Sequence, residues 1–359
     1  MTEQFDLYIG TYTRSMPHVD GKADGLYLYH FDASSGELTD SGQVINVVNP
    51  TYIAIDATRR YLYTVEETGE DDSIHVFAIE STSGGLTPIN QQSARGRAPC
   101  HLNIDNTGQY LVVANYVSGN VAVFPLNADG SLGEATDVVR HHGQSVNAAR
   151  QEAAHTHAVV FDNHNRVYIP DLGIDKIMIY QLDVESGKLR PNQPGFADLQ
   201  AGAGPRHLAF HPNGAYAFVL NELDSTLVTF TVDGDSGGLT HLQTTSTLPD
   251  IFKGENYCAA IRLSADGRFI YASNRGHDSI AIFSFDAQSG AVTRIGHEST
   301  QGEYPRDFNI DPTGQFLLVA NQNTDTVTVF RIHQHTGLLQ ETGLRYTIPT
   351  PVCLYFNRR

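Results

Sequence analysis

Residues 101–116 read HLNIDNTGQYLVVANY, and this stretch is one of six copies of a single unit along the chain. Each copy has an apolar strand, a polar turn and a second strand rich in Tyr, Val and Leu. The other copies are YIAIDATRRYLYTVEE (52–67), AVVFDNHNRVYIPDLG (158–173), HLAFHPNGAYAFVLNE (207–222), AIRLSADGRFIYASNR (260–275) and FNIDPTGQFLLVANQ (308–322). Helix-period patterns are scarce, so the repeats predict an all-β protein.

A third strand follows each copy, and a turn such as SGGLT or ESGKL comes after it. These third strands are SIHVFAI (73–79), NVAVFPL (120–126), KIMIYQL (176–182), TLVTFTV (226–232), SIAIFSF (279–285) and TVTVFRI (326–332). The period of roughly 50 residues is typical of four-stranded propeller blades. A pair of β-sandwiches would not produce this periodicity.

The two ends of the chain together supply one further blade, which brings the number of blades to seven. PVCLYF (351–356) matches a first strand, while FDLYIGTYT (5–13) and GLYLYHFDASSGELT (25–39) supply the remaining strands. Sharing one blade between the termini closes the ring and removes free sheet edges. The sequence therefore predicts a single domain over residues 1–359, a seven-bladed β-propeller closed by its N- and C-terminal strands.

The composition argues against several classes of partner. The chain of 359 residues carries 40 acidic residues against 23 Lys and Arg, a net charge of −17, and has no basic run. We therefore expect neither nucleic acid nor an anionic membrane surface as a partner. An anionic small molecule stays open, because a few arginines in a cleft set a local field against the global sign.

The remaining features predict a cytoplasmic protein. The start MTEQFDLYIG has neither the basic nor the apolar region of a signal peptide, and no run of about 18 apolar residues occurs. The cysteines, Cys100, Cys258 and Cys353, are scattered and odd in number, which favours reduced thiols. Because a closed propeller is stable alone, we expect a monomer or a weak homodimer.

Aligned repeats give three columns of residues near the central channel, which the first strand of each blade lines. At the entrance of the first strand stand Thr51, Cys100, His157, Arg206, Ala259, Arg306 and Val352. At the end of the second strand stand Glu66, Asn115, Asp171, Asn221, Asn274, Asn321 and Thr11. The residues that follow are Glu67, Tyr116, Leu172, Glu222, Arg275, Gln322 and Tyr12.

The columns differ in chemistry. The second is largely Asn and Asp, and short side chains that bond nearby backbone suit a strand end, so its role is interpreted as structural. The other two change from blade to blade, and ionisable groups gathered at one channel mouth indicate a site. His101 and His207, one residue further along their strands, are expected to face the blade interior.

Several motifs resemble the propeller-type lactonase family, which includes propeller-type 6-phosphogluconolactonases and the fungal 3-carboxy-cis,cis-muconate lactonizing enzyme. They occur in order as YIGTYT (8–13), HHGQSVNAARQEAAHTHAVVFD (141–162), GPRHLAFHPNG (204–214), LNE (220–222), SNRGHDSI (273–280) and DPTGQFLLVANQ (311–322). The resemblance implies hydrolysis or formation of a lactone ring with no metal or organic cofactor. One departure is VEE at 65–67, where family members often have VNE.

The resemblance also implies a catalytic set. The positions that match the muconate-cyclizing members are His157, with His155 beside it, together with Arg206, Glu222 and Arg275. We predict these four as catalytic residues. The predicted substrate-binding residues are His155, Arg306, His101 and Tyr257.

Lactone hydrolysis needs a base for water, donors for the oxyanion and groups that hold the ring. Either Glu222 or His157 could be the base, but bracketing arginines weaken a carboxylate as a base and histidine titrates near neutral pH. His157 is therefore favoured, with Glu222 orienting it or the water. Arg206 and Arg275 would bind the oxyanion and any substrate carboxylate or phosphate, and Arg306 would add a third anion contact.

The residues leave three other functions open. The same constellation could perform a muconate-type cycloisomerisation. Glu66, Asn115, Asp171 and Asn221 offer oxygen ligands for a calcium-dependent lactonase, whereas His155 and His157 lack a third ligand for zinc. A non-enzymatic binding module is the last alternative, because fold does not fix function. The leading interpretation is a metal-free lactonase that acts on an anionic sugar lactone, most simply 6-phosphogluconolactone.

Overall fold

In four of the six repeats the polar turn is built by an aspartate that bonds the backbone ahead of it. In the computed structural model, which describes residues 3–359, Asp105 Oδ1 accepts hydrogen bonds from the backbone N–H groups of Gln109 and Tyr110 at 2.8 and 2.7 Å. Its Oδ2 accepts one from the N–H of Thr107 at 2.9 Å. Asp56 and Asp311 bond their own turns in the same way. This local bonding explains why the turn repeats in sequence as well as in structure.

The strands form seven antiparallel sheets of four strands each. In the blade that joins the termini they are β1 (Gln4–Thr11), β2 (Leu26–Asp32), β3 (Leu38–Ile45) and β28 (Pro351–Arg358). The next two blades contain β4 (Ile53–Ile55), β5 (Tyr61–Val65), β6 (Ser73–Ile79) and β7 (Leu86–Ser93), then β8 (Pro99–Ile104), β9 (Tyr110–Asn115), β10 (Asn120–Pro125) and β11 (Asp137–Arg140).

The remaining four blades follow in chain order. The fourth and fifth blades contain β12 (Val160–Phe161), β13 (Arg166–Asp171), β14 (Lys176–Asp183) and β15 (Lys188–Asp198), then β16 (Pro205–Phe210), β17 (Tyr216–Asn221), β18 (Thr226–Val232) and β19 (Leu239–Ser246). The last two contain β20 (Tyr257–Leu263), β21 (Phe269–Arg275), β22 (Ser279–Asp286) and β23 (Ala291–Ser299), then β24 (Pro305–Ile310), β25 (Phe316–Asn321), β26 (Thr326–Ile332) and β27 (Leu339–Thr347).

The termini close the ring as predicted. Strand β28 pairs antiparallel with β1, with Phe5 opposite Arg358 and Ile9 opposite Leu354, and β2 and β3 complete that blade. The first strands of neighbouring blades lie side by side around the channel, for example β16 with β20 and β28 with β4. The seven-bladed β-propeller with a shared terminal blade is therefore confirmed.

Tyrosines on the second strands tie neighbouring blades together. Tyr8, Tyr63, Tyr168 and Tyr271 are fully buried, and each donates its hydroxyl proton to a glycine carbonyl in the outer hairpin of the next blade. The apolar clusters likewise lie between blades, so that one of them packs Tyr271 and Ile280 against Leu317 and Phe330. This arrangement explains why the second strand of the repeat is rich in tyrosine.

The asparagines at the ends of the second strands also join blades. The Nδ2 groups of Asn115, Asn274 and Asn321 donate to the carbonyls of Ala94, Thr247 and Thr300, which follow the outer strand of the preceding blade. These bonds support the structural interpretation of that column. Among the described residues, no helix is long and apolar enough to cross a membrane.

Candidate active site

A cavity of about 530 Å³ opens at the end of the channel where the first strands begin. Five charged residues line it: Glu67, Arg150, Glu222, Arg275 and Arg306. His157 and Tyr116 also line it, and the 16–18 segment contributes further contacts. Arg206 lies in the narrower channel beyond, beside Glu67 and Arg306. The two columns whose residues change chemistry from blade to blade, the first-strand entrance and the residue after the second strand, thus meet at this end of the channel.

Three of the channel side chains lie in β-bulges, each of which begins at a proline. The pairing of first and second strands shifts between Pro99 and His101, between Pro205 and His207, and between Pro305 and Asp307. The residue inside each shift is Cys100, Arg206 or Arg306. A bulged residue is left out of the ladder and its side chain is re-aimed, which here directs it to the channel.

Three guanidinium groups surround Glu222, which follows β17. Arg150 Nη2 lies 2.6 Å from Glu222 Oε1. Arg206 Nε and Arg275 Nη2 each lie 3.1 Å from Oε2. Glu222 and the side chains of Arg206 and Arg275 are buried, whereas Arg150 is a third exposed. Arg206 Nη1 also donates to the Ala259 carbonyl at 2.6 Å, which anchors it to the neighbouring blade.

The three arginines determine the ionisation state of Glu222. Burial alone would raise the pKa of Glu222, but Arg275, Arg206 and Arg150 outweigh burial and hold the pKa well below its usual range. Burial and the nearby Arg275 lower the pKa of Arg206 to about 10, which still leaves it charged at neutral pH. Glu222 is therefore a permanent anion and a poor general base, as the bracketing arginines predicted.

A second carboxyl group lies in the same cavity with different partners. Tyr12 Oη donates to Glu67 Oε1 at 3.1 Å, and Thr51 Oγ1 donates to Oε2. The nearest guanidinium, Arg306 Nη2, is 3.9 Å from Oε1 and also lies over the Tyr12 ring. Burial raises the pKa of Glu67, and Arg306 with the two hydroxyl donors only partly offsets that effect.

His157 lines the cavity in blade four. Its backbone N–H donates to the Pro170 carbonyl at 2.9 Å, and its Nδ1 lies 3.8 Å from Cys100 Sγ. Nε2 has no hydrogen-bond partner within residues 3–359, so it is the nitrogen available to a ligand or a water. Burial, followed by Arg206, lowers the pKa of His157 well below 6.5. The premise that this histidine titrates near neutral pH is therefore corrected, because the imidazole stays uncharged.

The residues around His157 depart from a regular strand. The apolar run 158–161 forms strand β12 only at Val160–Phe161, and Thr156 makes an isolated bridge to Asp171. Gly173 permits this arrangement, because a Cβ there would lie 1.8 Å from the Ala153 carbonyl oxygen. The backbone around Gly173 can therefore lie against the backbone of residues 153–155, and this contact holds His157 at the channel entrance.

Three of the predicted substrate-binding residues lie away from the cavity wall. His155 is buried behind Tyr116, where it stacks on that ring and its Nδ1 lies 2.9 Å from the Tyr116 carbonyl oxygen. His101 is stacked on Tyr52 beside His207, in the blade interior, as the alternative interpretation expected. Tyr257 lies under the Arg150 guanidinium and its carbonyl accepts from Arg275 Nε. Arg306, the fourth, does line the cavity.

The residues proposed for a calcium site engage other partners. Asp171 accepts the His155 N–H and lies 2.7 Å from His141 Nδ1, and Glu66 lies 3.1 Å from His75 Nε2. Asn115 donates to the neighbouring blade, while its Oδ1 and that of Asn221 are buried without a partner. Within residues 3–359 there is no cluster of three or more His, Cys, Asp or Glu side chains suited to a metal ion.

Two charged residues of the cavity, Arg150 and Glu67, were not predicted from the sequence. Arg150 lies in the long 141–159 connection, outside the repeat, so the alignment of blades gave it no column. Glu67 occupies the same column as Glu222 but was not among the predicted site residues. The signal for Arg150 was its place just upstream of the two histidines, and the signal for Glu67 was its shared column.

Comparison with known proteins agrees with this architecture. The family model described as "Lactonase, 7-bladed beta-propeller" matches residues 6–356. A 6-phosphogluconolactonase of Bacillus subtilis is 37% identical, with 97% of each chain covered. A 6-phosphogluconolactonase of Formosa agariphila is 34% identical, with 93% of this chain and 94% of the relative covered.

Solved structures are equally close. The periplasmic gluconolactonase of Pseudomonas aeruginosa superimposes with a TM-score of 0.92 at 33% identity, over 98% of this chain and 99% of that one. Both the sequence match and the structural match extend over the whole ring of blades. The chain therefore belongs to the lactonase family of seven-bladed β-propellers.

Proposed function

We propose that this protein hydrolyses a phosphorylated sugar lactone, 6-phosphogluconolactone, to the open hydroxy acid. The observation that carries the proposal is the cavity, in which three arginines and two glutamates surround a space of small-molecule size. A fourth arginine, Arg206, contacts Glu222 from the narrower channel. The names of the relatives support the same class of substrate.

The charges favour an anionic substrate. Four guanidinium groups against two carboxyl groups leave a positive excess in a chain whose net charge is −17. Arg150 is the most exposed of the four, with about a third of its side chain accessible, and marks the outer end of the cavity. We place the phosphate there, because a guanidinium binds phosphate oxygens in a bidentate fashion. The lactone ring then lies deeper, near His157.

In this arrangement the neutral imidazole of His157 takes a proton from water as the oxygen attacks the lactone carbonyl. The negative charge of Glu222 favours the imidazolium that forms. Arg275 and Arg206 stabilise the oxyanion, since fixed donors aimed at developing charge accelerate acyl transfer. Glu222 in turn holds Arg206 and Arg275 through Oε2 and Arg150 through Oε1.

The first test compares two lactones. Initial rates of acid production from 6-phosphogluconolactone and glucono-δ-lactone are measured above the spontaneous background, with and without EDTA. We expect turnover of the phosphorylated lactone with the higher kcat/KM, unchanged by EDTA. A preference for the unphosphorylated lactone would instead favour an activity like that named for the Pseudomonas aeruginosa neighbour. Loss of the rate with EDTA would contradict the metal-free mechanism.

Arg150→Gln is expected to raise KM for 6-phosphogluconolactone about 10- to 100-fold with little change in kcat. The reason is the loss of a charge-assisted contact to phosphate, which is worth about 1.5–3 kcal/mol. Steady-state kinetics on both lactones checks this, and the unphosphorylated substrate should show a much smaller change. The matched control is Arg140→Gln on strand β11, where the side chain is exposed. Equal effects on both lactones would contradict phosphate binding by Arg150.

His157→Gln is expected to lower kcat by about 10²-fold or more, the usual contribution of a general base. The wild-type pH profile gives a second readout. A base works only when unprotonated, so kcat/KM falls as pH drops through its pKa, and burial places that limb below pH 6.5. The profile of kcat/KM between pH 4.5 and 8 locates the limb. An ascending limb centred above pH 6.5 would contradict this assignment.

A further inference from the structure

Glu67 and Glu222 are the two carboxyl groups of the cavity, and they come from equivalent positions of different blades. Each follows the second strand of its blade, β5 in the second blade and β17 in the fifth. Both side chains are buried and both line the same cavity. The mechanism above uses Glu222 to hold the arginines and to stabilise the imidazolium of His157, and it leaves Glu67 unused.

The surroundings of Glu67 differ from those of Glu222. From the first blade Tyr12 donates to it, with His18 Nε2 3.3 Å from the Tyr12 hydroxyl. From its own blade Thr51 donates to it and Asp72 adds a like charge. The cations that face it are Arg306 from β24 and, deeper in the channel, Arg206 from β16, and the uncharged thiol of Cys100 lies beside them.

We propose that Glu67 is the general acid of the reaction, the group that protonates the ring oxygen when the lactone opens. The proposal rests on the lactonase function proposed above. Its geometric basis is a buried carboxyl group that lines the substrate cavity, is fixed by two hydroxyl donors and has its nearest guanidinium, that of Arg306, 3.9 Å away. The other carboxyl group of the cavity, Glu222, has three guanidinium groups at 2.6, 3.1 and 3.1 Å.

His157 and Glu67 together account for both proton transfers of the reaction. An O–H bond of water breaks, its proton goes to His157, and the water oxygen bonds to the carbonyl carbon. The tetrahedral oxyanion then collapses, the ring C–O bond breaks with its electron pair on oxygen, and the Glu67 proton goes to that oxygen. The carboxylate of Glu67 and the imidazolium of His157 are restored by proton transfer through solvent. No oxidant, reductant or further reactant is needed.

The electrostatics agree with this division of roles. Two carboxyl groups whose environments move their pKa values apart are a common arrangement for acid and base chemistry. Burial raises the pKa of Glu67 above 4.5, while the arginines hold that of Glu222 below it. A bound anionic substrate raises the pKa of Glu67 further, because a nearby negative charge favours the protonated form.

Glu67→Gln tests the role directly. The amide oxygen still accepts a hydrogen bond from one of the two hydroxyl groups, and the amide NH2 donates to the other. The amide cannot give up a proton to the leaving oxygen, so kcat for 6-phosphogluconolactone should fall by about 10²-fold or more. Because the acid must be protonated, wild-type activity falls as pH rises through the pKa of Glu67, and this descending limb should disappear in the variant. The matched control is Glu66→Gln, the adjacent glutamate, which pairs with His75 outside the cavity.

A second variant guards against a purely structural effect. Tyr12→Phe removes a donor that favours the carboxylate, so the descending limb should move to higher pH while the ring over Arg306 is kept. An unmoved limb, or a Glu67→Gln rate within threefold of wild type, would overturn the role of Glu67 alone. No turnover of any lactone by the wild-type protein would overturn the proposed function, and this role with it.

Discussion

Replacing Glu222 with glutamine is expected to destabilise the folded protein by about 3–5 kcal/mol. The glutamine leaves Arg150, Arg206 and Arg275 without their shared counter-charge, and two of the three are buried. Removing one partner of a buried ion pair destabilises by this amount because the remaining charges stay desolvated. Urea denaturation of both proteins at pH 7 measures the difference, and lactone hydrolysis should fall with it because the arginines lose their positions.

The difference in the free energy of unfolding between wild type and Glu222→Gln should depend on pH with a definite sign. The pKa of Glu222 in the folded protein is depressed below the ordinary value of 4.5. Its contribution is therefore fully present above pH 4.5 and is lost only as pH falls further toward the folded pKa. The gap between wild type and variant should be constant from pH 7 to about 5. Glu66→Gln, whose carboxylate pairs with a partly exposed histidine, should change stability by less than about 1 kcal/mol. A gap no larger than that control would contradict the account.

Arg206→Ala is expected to lower kcat by about 10²–10³-fold, the effect of losing one oxyanion donor. From the sequence alone this variant is expected to be nearly silent in stability. The structure changes that expectation, since the side chain is buried, bonds the Ala259 carbonyl and contacts Glu222. We expect a loss of about 2–3 kcal/mol in the free energy of unfolding, the range for a hydrogen-bonded charged group.

A control separates these two effects of Arg206. Arg262 belongs to the next blade, and its Nη2 lies 3.1 Å from Asp307 Oδ1, away from the cavity. Arg262→Ala should therefore lower stability while leaving kcat within a few-fold of wild type. If Arg262→Ala lowered kcat as strongly as Arg206→Ala, the activity loss would reflect general destabilisation and not oxyanion binding.

The fold was predictable because its signals are local and repeated. Asp56, Asp105 and Asp311 build the same turn from contacts within a few residues, so these copies share a local sequence signature. The tyrosines of the second strands repeat for the same reason, since each meets the same hairpin of the next blade. Ring closure was predictable because the three N-terminal strands and the one C-terminal strand together make a single blade.

The site was predictable only where it follows the repeat. Arg206, Arg306 and Glu222 stand in aligned columns, and the structure places all three at the channel. Arg150 lies in a connection without a counterpart in other blades, so alignment could not reveal it. The resemblance placed His155 beside His157 as a substrate-binding residue, but the segment is not a regular strand and His155 lies behind Tyr116.

Ionisation states depend on contacts that the repeat does not encode. The low pKa of Glu222 needs three arginines from distant parts of the chain, at positions 150, 206 and 275. The low pKa of His157 and the raised pKa of Glu67 both begin with burial, which becomes visible only once the blades are assembled. Sequence patterns thus placed His157, Glu67 and Glu222 in aligned columns but could not show how burial shifts their pKa values.

The most direct test of the proposed lactonase mechanism is the initial rate of acid production from 6-phosphogluconolactone, measured in a pH-stat for wild type and for Arg206→Ala. Both proteins are used at equal concentration after their folded state is verified by circular dichroism. The account predicts a wild-type rate far above the spontaneous background and a rate about 10²–10³-fold lower for the variant. A wild-type rate at background, or equal rates for the two proteins, would contradict it.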